Sequence, residues 1–336
     1  MNNFRLALIG CGLITAQSHL PAALSSPGLE VVALVDPVTE RAKALAQEYG
    51  IRPVVAATIG ELATKVDGAI IATPNSTHCE MALQCIAKGI HVLVEKPLAV
   101  SSDEGLKMVQ AAESAGLTLA VGYSSRFRPC MDLLKELLST GYFGRVIRFA
   151  HQAGTAGGWA PLSAYTLDRK TIGGGVLVVT GTHFLDRMLM LWGVPTRAEL
   201  FHDGVTGPEA NCTAVFEFGE SASHIRGWAR YSKTVQLPGG LVIETEHGVV
   251  QLLESDFSEV RFWDRRSPKL EQLIRSRHYV DGDTDEFRLQ LADFVSACRS
   301  RLPVRVDGRQ GLESLRLLET LYAHSRQLPN SWYLPE

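Results

Sequence analysis

The stretch LALIGCGLITAQSH, Leu6 to His19, ends an apolar run in Gly10-Cys11-Gly12 and continues as a helical pattern. Gly10 to Thr15 fits G-x-G-x-x, with threonine where a third glycine commonly stands. In such a loop the first glycine permits a tight turn. The second lets the main chain meet a diphosphate at the start of the next helix. Glycines also serve plain turns, so the pattern gains its weight from context: it ends a strand, opens a helix and begins a βαβ unit. The second strand ends in Asp36, 24 residues beyond Gly12. A carboxylate that takes the ribose hydroxyls of a dinucleotide is expected at ~20 residues. Such a carboxylate repels a 2′-phosphate and favours NAD, while Arg41 could turn toward that phosphate and keeps NADP open. As plain structure, Asp36 would cap the helix after Pro37.

Two further residues could handle protons. Lys96 follows the buried apolar strand in HVLVEK, His91 to Lys96, and a lysine there must end in solvent or in a site. Burial and a cationic ring such as nicotinamide would both lower its pKa toward neutral acid–base chemistry. His183 lies in GGGVLVVTGTHFLD, Gly173 to Asp186. A lone helical histidine is more often structural, but a preceding glycine run argues for a site. Asp186, one helical turn later, either orients that imidazole or pairs with Arg187 or another neighbour.

The elements that must hold these residues alternate over the first ~120 positions. FRLALIG, LEVVALVD, DGAIIAT, IHVLVEKP and LTLAVGY read as strands, with a weaker unit over 51–65. Helical patterns lie between them, capped by Asn75 or Ser76 and by a serine before an acidic first turn, and stopped at Gly50 and Gly89. Short apolar runs alternating with capped helices mean a parallel sheet covered on both faces. After Tyr123 the rhythm changes. Helices are expected at 130–139 and 175–192, and strands at 145–152, 197–202, 212–218, 223–228, 241–245, 249–253 and 260–263, with a turn at Glu246-His247-Gly248. This pattern is α+β, an antiparallel sheet with helices to one side. Two closing helices are expected, 284–299 and 309–326. The expected domains are 1–123 and 124–336, with the last helices packing back on the first.

The chain has 336 residues, 46% hydrophobic and 21% charged, enough for two domains with full cores. A net charge of -3 without basic runs argues against nucleic acid and anionic membranes as partners. The six cysteines form no C-x-x-C pair and no zinc spacing, so no metal is expected. Neither a signal-peptide pattern nor an apolar span of ~18 residues is recognisable, and the expected location is cytoplasmic.

Together with GCGLITAQSH, the stretches ATPNSTH (72–78), GIHVLVEKPLA (89–99), VGYSSRFRP (121–129), GGGVLVVTGTHFLD and VDGRQGLESL (306–315) resemble the Gfo/Idh/MocA oxidoreductases in order and spacing. This is the family of glucose–fructose oxidoreductase and inositol dehydrogenase. The resemblance implies an N-terminal Rossmann domain and a C-terminal α+β domain on a large, mostly antiparallel open sheet. Substrate would lie between that sheet and the nicotinamide. It also implies an NAD(P)-dependent enzyme acting on a CH–OH group of a sugar, cyclitol or nucleotide sugar, and a homo-oligomer, dimer or tetramer.

Carried over residue by residue, the resemblance assigns Gly10, Gly12, Leu13, Ile14, Asp36, Thr73, Pro74, Asn75, His78, Glu95 and Lys96 to the cofactor. Glu95 would face the nicotinamide side, Lys96 the substrate hydroxyl, and His183 would be the active-site histidine. Tyr123, Arg126, Trp159 and Thr182 join Lys96 and His183 as substrate candidates, with His151, Tyr165 and Thr180 as further ones. Arg126 would bind a carboxylate or phosphate, or else form an interdomain salt bridge. Trp159 would face a sugar or a second subunit. Many relatives carry aspartate four residues before the histidine, where this chain has Val179. That departure leaves Lys96 and His183 to share the proton work. It also keeps two alternatives in view: a non-catalytic cofactor-binding regulator, and a glycoside-cleaving enzyme that uses NAD as a bound catalyst.

Overall fold

The computed structural model describes residues 3–157, 168–219, 224–254, 258–276 and 285–328. The chain forms two units. The first takes residues up to Ser124, with Thr171–Gly173 and Asp285–Arg316, and the second takes the remainder.

The first unit is built on six strands: β1 (Phe4–Ile9), β2 (Leu29–Val35), β3 (Val54–Ala56), β4 (Gly68–Ile71), β5 (His91–Val94) and β6 (Leu119–Val121). All pairings are parallel, in the order β3-β2-β1-β4-β5-β6. Leu6, Ala7, Leu8, Ala69, Ile70 and Val92 to Val94 are buried on successive positions, as expected for strands covered on both faces. The helix Glu286–Ser300 adds Leu291 and Phe294 to this core, and Phe294 meets Phe4 edge to face. The expected serine cap forms: Ser101 Oγ accepts from the Glu104 amide at the start of Ser102–Ala115. Strand order reverses between β1 and β4, so the loops after these strands diverge and leave a crevice at their carboxyl ends.

The second unit carries β7 (Val146–Gly154), β8 (Arg197–His202), β9 (Asn211–Phe218), β10 (Ile225–Ser232), β11 (Leu237–Thr245), β12 (Gly248–Leu253), β13 (Glu259–Asp264), β14 (Glu271–Arg275) and β15 (Arg326–Gln327). Among the described residues these form one sheet in the order β14-β13-β12-β11-β7-β10-β9-β8-β15. It is mostly antiparallel, with β7–β10 and β8–β15 parallel. The expected sheet is present, and β14 and β15 extend it beyond the strands that the sequence pattern marks. The expected helix over 175–192 is present in two parts, a π-helical turn at Leu177–Gly181 followed by the helix Thr182–Trp192.

The glycine run before that helix has a steric cause. A Cβ on Gly174 would lie 2.2 Å from the Tyr322 hydroxyl, and one on Gly175 would lie 2.3 Å from the Glu209 carbonyl oxygen. Glu209 accepts from the Val176 amide through its main chain and from the Leu177 amide through its carboxylate, which satisfies the open helix start.

Candidate active site

The two loop glycines have different reasons. Gly10 has φ +91°, and a Cβ there would lie 2.5 Å from the Ala72 carbonyl oxygen, so glycine is needed for the fold itself. A Cβ on Gly12 would meet nothing within 4 Å. Among the described residues nothing calls for a bare backbone at Gly12, whereas a diphosphate seated on the following amides does. Leu13 and Ile14 stand 48% and 38% exposed beside it, an unusual placing for two large apolar side chains that a bound dinucleotide would cover. Thr15, in the third-glycine position, donates through Oγ1 to the Gly10 carbonyl at 2.6 Å and anchors the loop.

Asp36 does not cap the helix Thr39–Glu48, whose N-cap is Val38; its Oδ1 instead accepts from the Val38 amide at 2.8 Å in a turn before that helix. Its Oδ2 accepts from the Cys11 amide at 2.9 Å, which ties the end of β2 to the glycine loop. Each oxygen keeps a lone pair for a ribose hydroxyl. Burial and the Asp36 charge push the Cys11 thiol up to about 12, so it is not a nucleophile at neutral pH. These loops therefore fit the adenosine and diphosphate portions of a dinucleotide.

Glu95 is buried and receives two donors: His19 Nε2 lies 2.7 Å from Oε1, and the Lys96 amide lies 3.2 Å from Oε2. Burial pushes the Glu95 carboxyl up. The His19 hydrogen bond and the charges of His19 and Lys96 together outweigh it, so the group stays below the usual carboxylate range. Lys96 itself is half-buried.

Two residues expected to line the cofactor are committed elsewhere. His78 is fully buried, with Nδ1 2.9 Å from the Pro97 carbonyl and Nε2 3.0 Å from the Thr73 carbonyl. Burial holds its pKa below the ordinary value against the pull of both carbonyls. Asn75 does not cap the helix His78–Ala87; its Nδ2 donates to the Ile172 carbonyl at 2.8 Å. Thr73 and Pro74 are half-buried, and the Thr73 hydroxyl accepts from Thr77.

In the second unit His183 is half-buried, and its Nδ1 lies 3.5 Å from Ser125 Oγ. Asp186 has a neighbour as partner, as one of the two expectations for it had it. It pairs with Arg126, whose Nε and Nη2 reach the two carboxylate oxygens at 2.6 and 2.7 Å, both side chains almost wholly buried. Of the two expectations for Arg126, a substrate anion or a salt bridge between domains, this ion pair is neither, since it lies within one unit. Tyr123 and Thr182, expected as substrate contacts, have no exposed surface. His151 is buried too, and belongs to a cluster in which Glu254 accepts from Arg187 at 2.5 Å, Arg128 at 2.6 Å and His151 at 3.0 Å. Burial pushes the Glu254 carboxyl up, but the Arg187 and Arg128 charges and the His151 bond hold it far below the carboxylate range. Val179 sits half-buried in the π-helical turn. Trp159 and Tyr165 lie outside the described residues. The sequence reading passed over His19 and Ser125, although both lie inside the quoted stretches.

The oxidoreductase family with an NAD-binding Rossmann fold, Gfo/Idh/MocA, matches residues 4–123, and its C-terminal alpha/beta domain matches 135–328. The chain belongs to the Gfo/Idh/MocA oxidoreductase family. It is 28% identical to the rhizopine catabolism protein MocA of Rhizobium meliloti over 332 residues, 95% of this chain and 94% of that one. It is 30% identical to the D-glucoside 3-dehydrogenase of Escherichia coli over 261 residues, 76% of this chain and 70% of that one. Among solved structures, the WlbA dehydrogenase of Bordetella pertussis in complex with NADH and UDP-GlcNAcA superposes with a TM-score of 0.81. It does so at 21% identity over 96% of this chain and 95% of that one. Membership makes this chain an NAD(P)-dependent oxidoreductase, and the open loop at Gly12 agrees with it. No helix among the described residues is long and apolar enough to cross a membrane.

Proposed function

We propose that this family member moves a hydride between the nicotinamide and a secondary alcohol or ketone of a sugar, cyclitol or nucleotide sugar, with NAD preferred. The observation that carries the reading is Gly12, a bare backbone with open space before it at the strand-order reversal, with Asp36 hydrogen-bonded to the same loop. Asp36 supports NAD, because a second anion beside it would be repelled. The names of the relatives, a glucoside dehydrogenase and a dehydrogenase bound to UDP-GlcNAcA, support the substrate class.

When bound, the nicotinamide gives or accepts the hydride. The chain's own residues supply position and proton transfer. In the oxidising direction the His183 imidazole takes the hydroxyl proton, and the Lys96 ammonium donates a hydrogen bond to the developing oxyanion. In the reducing direction the proton returns to the same oxygen. Val179 carries no proton, so these two groups act without a third. Of the assigned residues, Lys96 and His183 keep partial exposure where Tyr123, Arg126 and Thr182 do not.

The test is a panel of sugars, inositols and nucleotide sugars, each offered with NAD and with NADP and followed by absorbance of the reduced coenzyme. Turnover of at least one polyol, faster with NAD, is expected. Bound NADH with no turnover across the panel would instead favour a regulator.

All six cysteines are free and five are buried, which suits a reducing compartment and supports a cytoplasmic location. A homo-oligomer formed through one sheet face is supported by register. Val215, Trp228, Ala150 and Val242 form one row across β9, β10, β7 and β11, and three of them are 37–38% exposed. Beside it runs a row Glu217, Arg226, Arg148, Glu244, in which each arginine is matched by a glutamate of the same chain. Sedimentation velocity should give at least twice the 36.7 kDa chain mass, and a lone 36.7 kDa species would contradict this.

A further inference from the structure

His19 has no place in the proton chemistry proposed above, yet it is 2% exposed and hydrogen-bonded to a buried carboxylate. Its position follows from the loop. The segment Thr15–His19 is a π-helical turn, and it buries Thr15 and His19 together. Such turns carry a wider spacing than an α-helix and recur at functional sites. Thr15 grips the Gly10 carbonyl at one end of the turn, while His19 grips Glu95 at the other. The Phe287 ring packs against the imidazole in a T-shaped contact, 5.2 Å between centroids, and restrains its plane. Gly122 leaves room for the carboxylate: a Cβ there would come within 3.1 Å of Glu95 Oε1.

On the other side, Glu95 Oε2 accepts from the Lys96 amide, and the next residue, Pro97, gives its carbonyl to His78. Lys96 is thus held through both chain neighbours, by one histidine from the glycine-loop helix and one from the segment after β4. We propose that His19 is a positioning residue for Lys96: acting through Glu95, it holds the lysine in register with the loop that seats the diphosphate. The inference rests on the role assigned above to Lys96, and its test separates the two.

The groups that act on Glu95 are His19, Lys96 beside it in the chain, and His78 from the helix start. With His19 in place, its donor holds Oε1 and draws carboxylate charge away from the lysine. Without it, the freed oxygen turns to the ammonium. The two possible removals therefore have opposite signs. His19→Leu should raise the pH at which Lys96 is half-titrated by about half a unit or more, and Glu95→Gln should lower it by a similar amount. His19→Gln, which keeps an N–H donor near the Nε2 position, should stay close to the parent protein.

The readout is the pH dependence of amine acetylation at Lys96, followed by mass spectrometry of its peptide, on the full chain. Melting temperature and NADH fluorescence titration are measured on the same samples. Opposed shifts, with rescue by His19→Gln, support the inference. Unchanged Lys96 titration in folded, NADH-binding His19→Leu and Glu95→Gln proteins overturns it. Should His19→Leu fail to fold, the Glu95→Gln and His19→Gln arms decide alone: a downward shift in the first with none in the second supports the inference, and any other pattern ends it. Failure of the parent protein to bind NADH would instead sink the functional reading and leave a different signature.

Discussion

Lys96→Ala is expected to lower kcat by about 100- to 10,000-fold, the range over which a positioned proton donor or acceptor contributes. NADH affinity should change little, because in the proposed site Gly12 and Asp36, rather than the ammonium, would hold the diphosphate and ribose. The melting temperature should also hold. The lysine is half-buried, and its main-chain bond to Glu95 survives the substitution. Steady-state kinetics on the best substrate of the panel, with coenzyme titration alongside, reads both quantities. A variant that retains parental kcat would remove Lys96 from the reaction. One that fails to fold would make it structural.

The second large effect is on stability. Arg126 and Asp186 form a two-contact ion pair with side-chain exposures of 4% and 0%. Asp186→Ala would leave a guanidinium buried without its counter-charge, which costs about 3–5 kcal/mol. Surface pairs give no such penalty: Lys43–Glu40 is more than half exposed on both sides, so water screens it and takes the place of a lost partner. Replacing both partners, Arg126→Met with Asp186→Leu, should recover most of the loss, because no charge then remains buried. Denaturant unfolding of the three proteins measures this. The pair also stands beside the proposed catalytic histidine: Ser125, next to Arg126, faces His183, and Asp186 follows His183 by one helical turn. Activity should therefore fall along with stability in the single variant. An Asp186→Ala protein as stable as the parent would contradict the account of this cluster.

Much of the fold is legible in the sequence because burial has a local period. Short continuous apolar runs such as LALI and AII, too short for a buried helix, read as strands covered on both faces, and the alternation in GVVQLL marks a strand with one covered face. β14, EQLIR, escapes because its alternation is exposed and polar, and β15 escapes because it is two residues long. The glycine loop and Asp36 were legible because their chemistry depends on spacing along the chain. Burial of a particular polar side chain does not. Tyr123 and Arg126 read as cleft residues from their place after a strand, yet the first is wholly buried and the second is matched by a carboxylate 60 positions away. Glu254 is 67 residues from Arg187 and 103 from His151, so no local pattern announces that cluster. His19 was within reach, since it lies four residues after Thr15 inside the quoted loop, but its partner Glu95 is 76 positions on.

In the proposed site the amides following Gly12 would seat the diphosphate of a nicotinamide dinucleotide. NADH fluorescence titration of the parent protein and of Gly12→Val measures it most directly. A side chain at residue 12 meets open space within the protein, so the variant should melt at the parental temperature. The account predicts saturable NADH binding to the parent and loss of at least about 100-fold in affinity in the variant, the roughly 3 kcal/mol expected when a side chain fills the place of the diphosphate. Parental affinity in a folded Gly12→Val protein would contradict it.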